Sequence, residues 1–257
     1  MDEAVARLAE LIRDARSVVA LTGAGISVPS GIPDFRTPMT GLWAHVDPME
    51  VAHVDVLRRD PKRFWDFYGR RFQTLGDKCP NDAHGALVAL ERAGLLDGVI
   101  TQNIDRLHAA AGTERLVEVH GSIGECRCLV CGTRVSLQDV RHRLDADPEG
   151  IPRCDCGGIL RPGVVLFGEL LPPAALSEAE RLAAGADLML CIGTSLEVHP
   201  VAGLPELTLA RGGRIAIVTR RPTPLDAVAS VRLSGDVVDE LAAVVAVLGL
   251  TIASPPG

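Results

Sequence analysis

The chain has 257 residues, a net charge of −7, and 47% apolar against 23% charged residues, which suits a globular protein with a sizeable core. It is acidic and carries no basic stripe or block of like charge, which argues against nucleic acid as its main ligand. Seven cysteines behind an acidic, not signal-like, N-terminus point to metal or catalysis before disulfides, and to a cytoplasmic location.

In chain order, "MDEAVARLAELIRDA" places Ala4, Val5, Leu8, Leu11, Ile12 and Ala15 at helical spacing and predicts an amphipathic surface helix. The run "SVVALTGAG" from Ser17 reads as a buried strand ending in small residues. Residues 32–81 look helical, with no convincing buried strand. The stretch "AHGALVALERAG" predicts a helix, followed by strands in "GVITQNID" from Gly98 and "LVEVHGS" from Leu116. Residues 125–162 then break the alternation and hold most of the cysteines. Beyond them come a helix in "LSEAERLAAGA" and strands in "LMLCIGTS" from Leu188 and "RIAIVT" from Arg214. The apolar run from Leu241 to Ala253 is too short to span a bilayer and reads as a helix docked on the core, so no membrane is expected.

Strand and helix in alternation predict an α/β fold with a doubly wound parallel sheet, Rossmann-like, plus a smaller zinc-binding and helical module. The expected division is a sheet domain of residues 1–31, 82–124 and 163–257, a helical insertion of 32–81, and a zinc-binding insertion of 125–162. Ligands bind such sheets beyond the carboxyl ends of the strands. Five runs deliver polar or small residues there: Thr22 to Gly25, Gln102 and Asn103, His120, Gly193 to Ser195, and Thr219.

Cys128 and Cys131 form C-x-x-C, and Cys154 and Cys156 form C-x-C, each pair close to glycines. Two pairs of thiolates across a loop suit one tetrahedral zinc ion, closed and therefore structural. A Cys126-x-Cys128 pair is the alternative, but C-x-x-C closes a metal chelate more commonly. Four thiolates leave zinc no need of His120. A histidine at the ligand edge can serve as a base near neutral pH, or merely hydrogen-bond a loop. The glycines of "TGAGIS" let backbone N–H groups approach phosphates, although Val28 stands where G-x-G-x-x-G would place its third glycine.

The segments "GAGIS", "SGIPDFR", "TQNIDRLH", "HGS", "LRPGVVLFGE" and "GTSLEVHP", in that order and with the cysteine pairs, closely resemble the sirtuins, the NAD-dependent protein deacylases. The resemblance implies NAD as co-substrate, one structural Zn2+ per chain, and acyl-lysine proteins or peptides as partners. It implies that Gly23, Ala24, Gly25 and Ser27 lie on the pyrophosphate loop. Asp34, Phe35 and Arg36 would belong to a loop over the nicotinamide ribose. Gln102, Asn103 and Asp105 would hold the ribose and carboxamide, with Asn103 catalytic beside His120. Gly193, Thr194, Ser195, Thr219, Asp236 and Val237 would meet the phosphate and adenosine side. Val164, Val165, Phe167, Gly168 and Val198 would contact the substrate, with "GVVLFGE" pairing as a strand with the peptide. In the family's chemistry the acyl oxygen attacks the anomeric carbon as nicotinamide leaves. A histidine base then activates a ribose hydroxyl, and His120 occupies that position.

Tyr68 and Arg71 are three residues apart, so on a helix they share a face. In the sirtuins that prefer succinyl-lysine or malonyl-lysine, such a Y-x-x-R pair binds the acyl carboxylate, which implies desuccinylase activity beside deacetylation. Transfer of ADP-ribose to a protein is the alternative use of the same co-substrate.

Overall fold

A computed structural model describes residues 2–34 and 46–252. It contains a parallel sheet of six strands: β1 (Val18–Thr22), β2 (Gly98–Thr101), β3 (Leu116–Glu118), β7 (Leu188–Ile192), β8 (Arg214–Val218) and β9 (Val231–Leu233). Their spatial order is β3-β2-β1-β7-β8-β9. The order reverses between β1 and β7, where a ligand crevice opens in folds of this kind. β9 was not foreseen. It is three residues long at the sheet edge, too short to show a period of its own.

The central strands are covered on both faces, and their side chains sort by parity. Val18, Ala20, Leu188, Leu190, Ile192, Ala216 and Val218 face one core. That core is filled by α1 (Glu3–Asp14), α5 (Asp82–Arg92) and α10 (Val237–Val247) through Leu8, Ile12, Leu87, Leu90, Leu241 and Val244. Val19, Leu21, Met189, Cys191, Ile215 and Ile217 face the other. There α8 (Pro173–Gly185) and α9 (Leu204–Ala210) supply Leu182, Ala183 and Leu204. The N-terminal amphipathic helix and the helix before β2 stand where they were expected, whereas the C-terminal helix, expected on the run from Leu241, occupies Val237–Val247 and ends ahead of Gly249 at φ 74°.

Two further segments of the chain form a second body. α2 (Pro48–Val51), α3 (Val54–Arg59) and α4 (Pro61–Leu75) come from the first insertion. The second contributes β4 (Gly121–Cys128), β5 (Arg134–Ser136), α7 (Leu137–Ala146) and β6 (Leu160–Val164), with strand order β5-β4-β6. This small antiparallel sheet reaches a few residues beyond 125–162 at each end. Pro162 lies inside β6, which is tolerable because β6 is an edge strand. One hydrophobic core joins the two insertions: Phe64, Trp65, Tyr68 and Phe72 of α4 pack with Val140, Leu144, Cys126, Leu160 and Val164. Trp65 Nε1 also donates to the Leu160 carbonyl at 3.1 Å, fixing α4 to β6. Among the described residues no helix is long and apolar enough to cross a membrane.

Candidate functional site

The carboxyl ends of β1, β2 and β7 meet in a tightly packed turn. Gly193 adopts φ 60°, and a Cβ there would lie 2.3 Å from the Ile26 nitrogen, so no other residue fits. Gly23 N–H donates to Ile192 O at 3.0 Å and Gly25 N–H to Gly193 O at 2.8 Å. Glycine at 23 and 25 therefore serves close approach of two backbones. Between these two glycines, the Ala24 amide is not taken up by the neighbouring strand end. Gln102 Nε2 donates to Thr194 Oγ1 at 2.8 Å, tying the β2 loop to the β7 loop, with Ser195 half-buried beyond it.

Asn103 is 5% exposed. Its backbone N–H donates to Thr101 Oγ1 at 3.1 Å, and its Nδ2 donates to Gly23 O at 3.1 Å and Ser27 Oγ at 3.2 Å. With both amide hydrogens committed, the side-chain carbonyl is what remains to accept from a ligand. Ser27 Oγ passes its hydrogen to Asp105 Oδ2 at 2.7 Å, and Leu107 N–H holds Oδ1 at 2.9 Å. Burial raises the Asp105 carboxyl above its ordinary value, against these hydrogen bonds and the nearby Arg71.

His120 follows β3 and precedes β4, at the seam between the two bodies. Its Nδ1 lies 2.9 Å from Gln102 O. A carbonyl can only accept, so Nδ1 carries the hydrogen and Nε2 presents a bare lone pair. Burial lowers its pKa below the ordinary value, partly offset by the Gln102 bond. The imidazole is thus neutral at neutral pH and oriented as a base.

The adenosine-side candidates sit at the other end of the crevice. Thr219 follows β8, its N–H bonded to Leu233 O at 3.0 Å. Asp236 caps α10 through Val238 N–H at 2.9 Å and pairs with Arg220 at 2.7 Å, and Val237 is buried beside it. Asp34 is half-buried at the edge of the described residues. Phe35 and Arg36 lie outside them.

The segment expected to pair with peptide is not one extended strand. β6 stops at Val164. Val165 N–H then donates to His120 O at 2.8 Å, and Leu166 N–H turns onto Glu169 Oε2 at 2.9 Å. Phe167 uses both backbone groups on the helical insertion, giving to Ala52 O at 3.1 Å and accepting from Val54 N–H at 3.0 Å. A Cβ on Gly168 would come 2.4 Å from His53 Nε2, so the Nε2 edge of the His53 ring closes against this turn. The reason is local: Glu169 is gripped by Arg161 at 2.8 and 2.9 Å and pulls the chain back on itself. Glu169 N–H also returns to Leu166 O at 3.1 Å, and the chain leaves this turn with the Phe167 and Leu170 side chains exposed. Val198 is half-buried, its carbonyl held by Ala202 N–H at 2.9 Å.

Tyr68 and Arg71 sit on α4, Tyr68 within the hydrophobic core of the second body. Tyr68 stacks on Phe64 with ring centroids 4.5 Å apart, and burial pushes its phenol up to about 12. Burial lowers the Arg71 pKa, with Tyr68 and Asp105 as opposing neighbours. Arg71 is therefore near enough to Asp105 for the two charges to act on each other.

Cys128, Cys131, Cys154 and Cys156 converge so that their sulfurs all lie within 4.8 Å of one another. Cys128 and Cys156 are 3.5 Å apart, and Cys131 and Cys154 3.6 Å. Zinc–sulfur bonds of about 2.3 Å in a tetrahedron separate sulfurs by about 3.8 Å, so the four are positioned to bind a zinc ion despite the short C-x-C. The Cys131 thiol is drawn down to about 6, chiefly by Thr133. Cys126 faces the core and is fully buried, outside this set.

Thr101, His84 and His108, passed over in the sequence, also converge here, beside the strand-end Thr22 that was expected. Thr22, Thr101, His84 and His108 are buried polar groups directly beneath the loops. The signal available was that "TGAG" and "TQN" each begin with a threonine closing a strand.

Residues 23–200 match the family model described as the Sir2 family. A NAD-dependent protein deacetylase of Haloarcula marismortui is 45% identical, with 95% of this chain and 94% of that protein covered. NAD-dependent protein deacylase 1 of Archaeoglobus fulgidus is 41% identical, covering 94% and 96%. A solved Sir2 histidine-to-alanine variant with a deacetylated p53 peptide and 3'-O-acetyl ADP-ribose superposes with a TM-score of 0.90 at 39% identity, covering 95% and 98%. Sir2Tm bound to a propionylated peptide gives 0.85 at 38% identity, over 95% and 98%.

Proposed function

Because the chain belongs to the Sir2 family, we propose that it is an NAD-dependent protein-lysine deacylase in which His120 is the general base. The observation that carries this reading is the His120–Gln102 hydrogen bond, which leaves Nε2 free and the ring neutral at the mouth of the crevice. NAD, when bound, supplies the ADP-ribose that receives the acyl group as nicotinamide leaves. The residues that would hold it fit: a glycine turn with no room for side chains, the fixed carbonyl of Asn103, and the β7 and β8 ends for the adenosine side.

Each residue's part follows from its bonding. Asn103 is locked by two donated bonds and would orient the ribose through its side-chain oxygen. Asp105 and Ser27 hold Asn103 from behind. His120 takes a proton at Nε2 from the ribose hydroxyl that attacks the transferred acyl group, while Gln102 O keeps its ring from turning. The segment from Val164 to Gly168, together with Val198, would receive peptide backbone, a mode that tolerates many sequences. Sheet domain, helical insertion and zinc-binding insertion divide the work as cofactor platform, acyl pocket and scaffold, in a cytoplasmic protein acting on acyl-lysine proteins.

We further propose that Tyr68 and Arg71 admit acidic acyl groups, so that succinyl- and malonyl-lysine are substrates beside acetyl-lysine. Arg71 is a half-buried guanidinium next to a phenol, able to grip a carboxylate through parallel N–H bonds. The test is a panel of lysine peptides carrying acetyl, propionyl and succinyl groups, incubated with NAD and followed by mass spectrometry. Nicotinamide release with acyl transfer to ADP-ribose is expected. Label from NAD appearing on protein in place of deacylated peptide would establish ADP-ribosyl transfer instead.

A further inference from the structure

Beneath the cofactor loops lie two fully buried histidines that the reaction does not touch. His84 is on α5 and His108 on α6 (Leu107–Ala111), and their rings meet edge to face with centroids 4.9 Å apart and planes at 61°. Their exposures are 0% and 2%. Each has one ring nitrogen bonded and one without a partner: His84 Nε2 and His108 Nδ1.

The bonded nitrogens fix the hydrogens. At one end, Asn81 N–H points at His84 Nδ1 at 3.3 Å. A backbone amide can only donate, so Nδ1 accepts and the hydrogen of a neutral His84 resides on Nε2. At the other end, His108 Nε2 lies 2.9 Å from Thr22 Oγ1. Thr22 directs its single hydrogen to Thr101 Oγ1 at 2.8 Å. Thr22 must therefore accept from His108, which places the hydrogen on Nε2 and leaves Nδ1 an acceptor. The two unpartnered atoms are thus a donor and an acceptor on touching rings. Buried polar groups in native proteins are satisfied with very few exceptions, and a matched pair has one economical solution.

Closed at that point, the chain of bonds becomes a ring. Asn81 Nδ2 also donates to Ile26 O and Ser30 Oγ, both at 2.9 Å, clamping the turn after β1. Ser27 in that turn bonds Asn103, Asn103 N–H bonds Thr101, Thr101 bonds Thr22, and Thr22 bonds His108. The circuit passes through both loops that hold the cofactor end of the site.

We propose that His84 and His108 are positioning residues, a head-to-tail pair of neutral Nε2–H imidazoles that locks Thr22, Thr101 and Asn103 into register. Burial among apolar groups keeps both rings uncharged, with the His84 pKa lowered to about 4 and that of His108 well below the ordinary value. A charged ring would need a hydrogen on His84 Nδ1 or His108 Nδ1, and either would set two donors against each other. The proposal rests on the deacylase reading for its catalytic consequence, through Asn103, but not for the bonding itself.

Two experiments on the full-length chain separate these. Imidazole ¹⁵N spectra at neutral pH should show both histidines neutral with the hydrogen on Nε2. A protonated ring, or an Nδ1–H form of either, overturns the relay whether or not the protein deacylates anything. Nicotinamide release is then compared for wild type, His108→Leu and His108→Gln, with the Asn103 amide followed by hydrogen exchange. Gln can place an amide donor near the position of Nε2. His108→Leu should lower kcat about 10-fold with peptide KM little changed and speed Asn103 exchange, and His108→Gln should recover most of both. Equal behaviour of the two variants, in either direction, or a slow Asn103 amide in His108→Leu, overturns the positioning role. A wild type that releases no nicotinamide would remove the deacylase reading instead, leaving the spectra and the exchange rate to decide the relay.

Discussion

At the scale of single residues, His120 and Arg71 carry the sharpest consequences. His120→Ala should lower deacylation by about 10²–10⁴-fold, the usual worth of a general base, with NAD binding retained because the base acts after binding. Retention of more than half the wild-type rate at saturating NAD would remove His120 from the chemistry. Burial holds its pKa below the ordinary 6.5, so neutral base persists into mild acid and is lost only as pH falls through that lowered value. The acid limb of kcat/KM should therefore fall below pH 6.5, and a limb above it would mean that another group is being titrated. For Arg71→Met, loss of hydrogen bonds to a charged carboxylate, about 1.5–3 kcal/mol, should cut succinyl-peptide turnover by ~10-fold or more. Acetyl-peptide turnover should be spared. Parallel losses on both peptides would assign Arg71 to packing alone. His120 and the cysteine pairs were legible in the sequence because strand ends and chelate spacings are local patterns. The partnership of His84 with His108 was not, because it joins two helices through a buried contact that no spacing encodes.

At the scale of elements, the small sheet and α4 depend on each other and, through Cys128 and Cys154, on metal. These cysteines belong to the same core as Phe64, Trp65 and Phe72. Structural zinc contributes directly to folding, so its removal should loosen β4, β5, β6 and α7 and carry α4 with them. Hydrogen exchange of the chelated protein should show this before the six-stranded sheet changes. Metal analysis should find zinc lost in Cys154→Ser and kept in Cys126→Ser, because Cys126 points into the core; the reverse pattern would assign the wrong thiols. Trp65→Ala should destabilise by about 3–5 kcal/mol, since it opens a large cavity and strands the Leu160 carbonyl. A loss under 1 kcal/mol by urea unfolding would show that the two insertions do not share a core. Periodicity made the long buried strands and the terminal helices readable. It was silent on "GVVLFGE", which the family resemblance alone marked for pairing with peptide. There the side chains of Arg161 and Glu169 and the backbone of Ala52 to Val54 override propensity. It was silent also on β9, which exists because β8 offers it an edge.

At the scale of the whole molecule, the doubly wound sheet brings buried imidazoles under the site, and this gives folding a pH dependence of definite sign. An unfolded histidine binds a proton near pH 6.5, whereas folded His84 does so only near 4. Between these values the unfolded state holds more protons, so stability rises with pH through the window. The contribution is fully present above pH 6.5 and drains away as pH falls toward 4. At 1.36 kcal/mol per pKa unit it amounts to about 3 kcal/mol from His84, with His108 adding in the same direction. Asp105 and Glu118, whose carboxyls burial raises, act with the opposite sign: their contribution is lost as pH rises through those raised values. Protonation of the zinc thiolates adds a further acid-dependent loss. A comparison of variants removes these shared terms. Urea unfolding of wild type and His84→Leu at pH 7.5, 6.0 and 5.0 should give a wild type that loses stability steeply and a variant that starts lower but loses less over the same range. Only the slope bears on the argument, because the substitution also strands Asn81 N–H and His108 Nδ1. Parallel slopes would mean that His84 gains its proton as easily in the folded protein as in the unfolded chain, and that the buried pair is not the neutral one its hydrogen bonds require.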